Sequence, residues 1–121
     1  MNVLLIAIGG AIGSVGRYFL ASIVHRLTDA SFPAGIVIVN VLGCAIFGVI
    51  VGTAAQRVTL SAEARAFLLI GVLGGFTTFS TYAFDSVVLM RDGQWGLALL
   101  NMIGQVVLGV TALWTGMLLA R

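Results

Sequence analysis

The chain has 121 residues, 60% of them hydrophobic and only 8% charged, with a mean hydropathy of +1.17; a soluble domain carries about a quarter charged residues, so a soluble globular class is excluded and residues 1–121 read as one transmembrane domain in a lipid bilayer. Its net charge of +2 comes from six arginines against four acids, too sparse for the basic face that nucleic acid requires. Cys44 and His25 are each alone of their kind, which excludes an intrachain disulfide and a Cys/His metal cluster.

Stretches of about 20 apolar residues, the length that spans a bilayer, occur at 3–24, 34–55, 62–90 and 95–120. Connectors of roughly 5 to 10 residues leave no room for a soluble catalytic domain, so the expectation is a function inside the membrane and no enzyme. Met1 and Asn2 carry no basic n-region, and segment one is expected to stay in the mature protein. Its glycines Gly9 and Gly13 lie four apart, and the same face continues to Arg17. The glycines read first as packing seams between helices. Arg17 lies about two-thirds along the segment, where a charge costs on the order of 2 to 3 kcal/mol, and it requires a partner. Residues 28–33 form the one extended loop, with Pro33 helping to start segment two. In that segment Asn40 lies above the small residues Cys44, Gly48 and Gly52.

Segment three is the informative one. Thr59 or Ser61 caps its start, with Glu63 near the positive end. A continuous helix from 62 to 90 would run about 43 Å at 1.5 Å per residue, against a hydrocarbon core near 30 Å. Its centre reads Gly74-Gly75-Phe76-Thr77-Thr78-Phe79-Ser80-Thr81-Tyr82. Hydrocarbon tolerates irregular backbone only where it is buried in protein or lines a polar cavity. The expectation is a break between Gly74 and Thr78 that leaves two half-helices with inner ends able to hold ions. Ser80 and Thr81 either line the path or bond back to the carbonyl one turn earlier. Phe79 and Tyr82, three apart, share a face on which ring edges can meet an anion. Asp85 is available to pair with Arg17 or Arg91.

In segment four Asn101 and Gln105 are four apart and stack on one face. They read equally as interhelical glue, worth about 0.6 kcal/mol each, or as pore lining. Amides and hydroxyls all donate hydrogen bonds, and only one carboxylate lies deep in the segments, so the lining looks built for an anion. Charges near segment ends set orientation: Arg57, Arg65 and Arg121 fall on one side, Arg26 and Arg91 on the other. Three against two is almost no bias, and the chain is expected to insert both ways and pair with an opposite copy. No internal duplication is visible, so that pairing would supply the symmetry other transporters build into one chain.

On these residues the chain resembles the Fluc (CrcB-type) fluoride channels of microorganisms, nearly end to end. The motifs are Gly9-Gly10-Ala11-Ile12-Gly13 with Arg17-Tyr18, Pro33-Ala34-Gly35 leading to Val39-Asn40-Val41-Leu42-Gly43, and the Gly74 to Tyr82 run, the most specific of the three. The resemblance implies an all-α membrane protein of four transmembrane helices, the third broken at its centre, in an antiparallel dual-topology homodimer of the cell inner (plasma) membrane. It implies two pores exporting cytoplasmic fluoride passively and a structural sodium ion on the dimer axis, held by the carbonyls of Gly74 and Thr77. By motif position Asn40 donates to fluoride, Phe79 and Tyr82 take the paired phenylalanine positions, Ser80 and Thr81 belong to the polar track, and Arg17 sits in the vestibule. Tyr82 replaces the second phenylalanine, Gln105 stands where serine is usual, Gly109 where a hydroxyl residue often lies, and Asn101 at a variable polar position. A small multidrug transporter, the nearest rival class, needs a membrane-buried carboxylate in segment one, which has none. A non-transporting accessory protein leaves the hydroxyl run and Asn40 unused.

Overall fold

The computed structural model describes residues 1–29 and 31–121; residue 30, inside the expected 28–33 loop, lies outside them. The described residues are helical, with no strand among them, and form four spans long and apolar enough to cross a membrane: Asn2–Leu27, Ala34–Gln56, Ala62–Arg91 and Trp95–Leu119. The chain is thus a multi-pass membrane protein by length and composition. Span one is helix α1 (Asn2–Leu27) and span two is α2 (Ala34–Gln56). Pro33 occupies the residue just before α2 rather than its first turn. It has no N–H to leave unpaired there.

Span three has several parts: α3 (Ala62–Arg65), a π-helical segment (Ala66–Leu73), α4 (Gly74–Phe76) and α5 (Phe79–Arg91). Of the two expected caps it is Ser61 that starts it, its Oγ accepting from the Ala64 N–H at 3.1 Å. The π segment was not foreseen. Its i→i−5 bonding, seen where the Gly74 N–H reaches the Leu69 carbonyl, places more residues in each turn, and such turns recur at functional sites. After Phe76 two residues leave helical geometry, Thr77 at φ −80°, ψ 157° and Thr78 at φ −150°, ψ 120°. Gly74 and Gly75 themselves remain helical, contrary to a break beginning at Gly74. The extended pair is two threonines because both hydroxyls close a helix end: Thr77 Oγ1 donates to the Leu73 carbonyl at 2.9 Å, and Thr78 Oγ1 accepts from the Thr81 N–H at 3.2 Å. That second bond is an N-cap.

Span three ends at Gly93, whose φ of +76° suits glycine. The Gln94 N–H reaches back to Leu89 and the Gly93 N–H to Met90, the paired bonds of a Schellman ending. α6 (Trp95–Leu119) follows. Arg57 Nη2 donates to the Arg121 carbonyl at 3.0 Å, so the second loop and the C-terminus share one side of the bundle.

α1 lies along the π segment and α4, and α2 lies along α6. Both seams depend on missing side chains. A Cβ on Gly13 would strike the Val72 carbonyl, and one on Gly48 would strike the Leu113 carbonyl. The helices therefore touch backbone to backbone, the small-residue packing that drives association where lipid removes the hydrophobic incentive. Most large apolar side chains point outward, including Ile70 and Phe79 on span three, the latter 79% exposed.

Candidate functional site: a polar network at the Thr77–Thr78 interruption

The glycine face of α1 delivers Arg17 to the interruption. Gly9 and Gly13 press against the π segment, and one turn further on Arg17 Nη1 donates to the Thr77 carbonyl at 3.3 Å. Its partner is a carbonyl oxygen, which leaves the charge uncancelled beside the break. Among the described residues Asp85 forms no ion pair with Arg17 or Arg91, so neither expected pairing is made. Its carboxylate instead lines a cavity of about 530 Å³ with Thr81, His25 and Asp92.

α2 contributes Asn40, and Gly43 explains how it gets close. A Cβ at Gly43 would run into Thr77 Cγ2, so its absence lets the extended pair settle against α2. Asn40 then makes a two-point contact with one peptide unit's neighbours: its Oδ1 accepts from the Thr78 N–H at 2.9 Å and its Nδ2 donates to the Thr78 carbonyl at 3.1 Å. Because a backbone N–H only donates, this fixes which end of the Asn40 amide is which. The second Nδ2 proton goes to Gln105 Oε1 at 2.8 Å.

From there the bonds continue through α6 and back to α5. Gln105 Nε2 donates to Asn101 Oδ1 at 2.8 Å, Asn101 Nδ2 to Ser86 Oγ at 2.9 Å, and Ser86 Oγ to the Tyr82 carbonyl at 2.8 Å. Asn101 is wholly buried and Gln105 7% exposed. Asn101 thus sits inside the bundle behind Gln105, while Gln105 reaches a cavity of about 340 Å³ shared with Asn40, Thr78, Phe79 and Tyr82. Ser86, 2% exposed, was missed by sequence reasoning. It falls four residues after Tyr82, on a face with Leu89 and toward α6.

The aromatic pair sits as its spacing predicts, with ring centroids of Phe79 and Tyr82 5.4 Å apart and planes at 45°. The added hydroxyl of Tyr82 donates to the Met102 carbonyl of α6 at 2.8 Å. Ser80 is exposed, its Oγ 3.3 Å from Thr78 Oγ1, and Thr81 Oγ1 accepts from Thr78 Oγ1 at 3.1 Å. Neither Ser80 nor Thr81 bonds back to a carbonyl one turn earlier.

The two carbonyls named for a cation can be judged from their hydrogen bonds. In a continuous helix Gly74 would receive the Thr78 N–H and Thr77 the Thr81 N–H; here those donors turn to Asn40 Oδ1 and Thr78 Oγ1. Both oxygens lose their helix partner; the Thr77 oxygen accepts from Arg17 instead, and Gly74 is exposed. Neutral oxygen ligands suit a hard cation of low charge. No group of three or more His, Cys, Asp or Glu that would hold a metal exists among the described residues.

Residues 4–117 match the family described as "CrcB-like protein, Camphor Resistance (CrcB)". Among curated proteins the chain is 46% identical over 116 residues to a "Fluoride-specific ion channel FluC" of Nitratidesulfovibrio vulgaris (strain DSM 19637 / Miyazaki F), covering 96% of this chain and 94% of that one. A protein of the same name from Maridesulfovibrio salexigens is 43% identical, with 98% and 94% covered. One from Agrobacterium fabrum is 41% identical over 121 residues, with 100% and 97% covered.

Proposed function

The chain belongs to the CrcB-like family, and from that premise we propose that it is a fluoride-selective channel, not an enzyme, which passively exports cytoplasmic fluoride across the cell inner membrane. Relatives matched over nearly their whole length carry the name of a fluoride-specific ion channel. The observation that carries the reading is Asn40, an amide whose donor end is locked toward the cavity by the Thr78 backbone. An anion that displaces the Gln105 oxygen meets a donor there that cannot turn round.

The working unit in this reading is an antiparallel homodimer in which opposed copies bring their interrupted third spans together at mid-membrane. The weak arginine bias supports dual insertion, and the outward Ile70, Gly74 and Phe79 give one copy a face to lay on the other. The carbonyls of Gly74 and Thr77 from both copies, freed of their helix bonds, would hold the sodium ion, Thr77 sharing its oxygen with Arg17. Bound there, it supplies positive charge at the dimer axis and ties the two interruptions together. Arg17 adds positive potential at the same level.

Fluoride is small and strongly hydrated, so it sheds water only against close donors. The path runs between the cavity at Asn40 and Gln105 and the one that Thr81 lines, past the exposed Ser80 at the α5 N-terminus, whose dipole favours an anion. The ring edges of Phe79 and Tyr82 present positive hydrogens to the ion, and the Tyr82 hydroxyl, held by Met102, stays out of its way. A larger halide gains less from such donors and fits the constriction worse, the logic of selectivity filters generally. Fluoride that enters as the neutral acid and ionises in the cytoplasm leaves through this path without coupling to another ion.

Expression in a bacterium deprived of its own fluoride exporters tests the reading. Growth in fluoride medium is expected to recover. A strain that makes the protein in its membrane and stays fluoride-sensitive contradicts it.

A further inference from the structure

Taking the fluoride reading as its basis, we infer that Gln105 is a second donor to the ion, delivered by a concerted reversal of the amide chain Gln105–Asn101–Ser86. In the structure every proton of this chain points one way: Asn40 donates to Gln105, Gln105 to Asn101, Asn101 to Ser86, and Ser86 to the Tyr82 carbonyl. The Gln105 oxygen therefore faces the cavity beside Asn40. An anion arriving there meets one donor and one repelling acceptor, and Asn40 cannot resolve the conflict because the Thr78 N–H holds its oxygen in place.

Gln105 and Asn101 can. A primary amide carries its acceptor and donor at nearly equivalent positions, so a half-turn about the last side-chain torsion exchanges them, and that torsion has a broad, roughly two-fold profile. The separations of 2.8 Å from Gln105 to Asn101 and 2.9 Å from Asn101 to Ser86 suit either polarity. After reversal Ser86 Oγ donates to Asn101 Oδ1, Asn101 Nδ2 donates to Gln105 Oε1, and Gln105 Nε2 points beside Asn40 Nδ2 into the cavity. The two nitrogens make a fork with the ion at its apex.

Only two bonds are given up. The Asn40 proton leaves Gln105 for the ion, and the Ser86 hydroxyl leaves the Tyr82 carbonyl, which keeps the Ser86 N–H as its partner in α5. A hydroxyl can end such a chain, since it donates or accepts by rotating its hydrogen. The burial of Asn101 and Ser86 keeps water from satisfying the amides in any intermediate pattern. The chain is thus all one way or all the other. A cation meets the resting polarity and gains nothing from the reversed one, so the relay adds selection by sign to selection by size.

The test follows side-chain amides in detergent-solubilised protein labelled with 15N at Asn and Gln, with Gln105 assigned by loss of its signal in Gln105→Met. Fluoride, but not chloride at equal ionic strength, is expected to move the side-chain N–H signals of Asn40, Gln105 and Asn101 together, with a 19F coupling at Gln105. Fluoride efflux from liposomes holding Gln105→Met is expected to fall about tenfold or more, the loss of a hydrogen bond to a charged group. If Asn40 responds and the unsubstituted protein passes fluoride while the Gln105 and Asn101 signals stay still, the relay is overturned and the channel stands. If no amide responds and the unsubstituted protein passes no fluoride, the channel reading falls and takes the relay with it. Where Gln105→Met fails to fold, Asn101→Asp assigns the neighbouring signal and the labelled parent protein decides alone.

Discussion

At the level of single residues, Asn40 joins two roles that pull in different directions: it holds the extended Thr78 in place, and its second amide proton, resting on Gln105 at the cavity, is the one an arriving anion would have to take. Asn40→Asp keeps the acceptor for Thr78 and replaces the donor by an oxygen that bears charge at bilayer depth, a change on the order of 2 to 3 kcal/mol. Fluoride efflux from liposomes is expected to fall about a hundredfold, at roughly 1.4 kcal/mol for each factor of ten, while the protein still folds as a dimer on a sizing column. Phe79→Ile, which keeps an apolar exposed side chain and removes the ring edge, is expected to abolish fluoride flux; unaltered flux in both variants would place the path elsewhere. Arg17, Asn40 and the Thr77 to Thr81 run were legible in the sequence because charge, amide and clustered hydroxyls are anomalous in hydrocarbon. Ser86 was not, since a lone serine in an apolar helix more often bonds its own backbone, as this one also does toward Tyr82. Nor was the destination of the Tyr82 hydroxyl, which depends on a backbone oxygen of another helix.

Among the elements, the four span boundaries could be read to within a few residues because membrane thickness and apolar composition set them independently of tertiary contacts. The inside of span three was harder. Two glycines suggested where the chain would leave helical geometry, yet both are helical, and the reason lies on the neighbouring helix: a Cβ on Gly75 would meet the Gly10 carbonyl at 2.6 Å. Gly75 is small so that α1 can cross, and the departure falls on Thr77 and Thr78, whose side chains close the two helix ends. The π segment left no compositional trace; it is the part of span three that α1 packs along. Thr78→Val removes the cap of α5 and is expected to cost about 1 kcal/mol of stability, seen as a lower thermal midpoint in detergent, with a larger loss of flux than Thr77→Val. Gly48→Leu drives a side chain into the Leu113 carbonyl and is expected to separate α2 from α6, giving aggregated protein. A well-folded Gly48→Leu dimer would show that the seam has slack the structure does not display.

For the molecule as a whole, the five arginines near the segment ends, three on one side and two on the other, almost balance, and dual insertion is proposed from that balance. Arg26→Ala with Arg91→Ala changes the balance from three against two to three against none, and is expected to fix nearly all copies in one orientation. Reporters on the C-terminus, expected on both sides for the parent chain, should then report one side only, and fluoride resistance should be lost until an oppositely biased variant is expressed alongside. The proposed assembly rests on this near-balance and on the lack of a visible internal duplication in residues 1–121. The most direct test of the central claim, that locked donors beside an interrupted span pass one small dehydrated halide, is efflux from liposomes containing the purified protein. Loaded with fluoride, the vesicles should empty rapidly; loaded with chloride under the same gradient, they should empty no faster than protein-free vesicles. Equal efflux of the two halides, or fluoride retained at the protein-free rate, would contradict it.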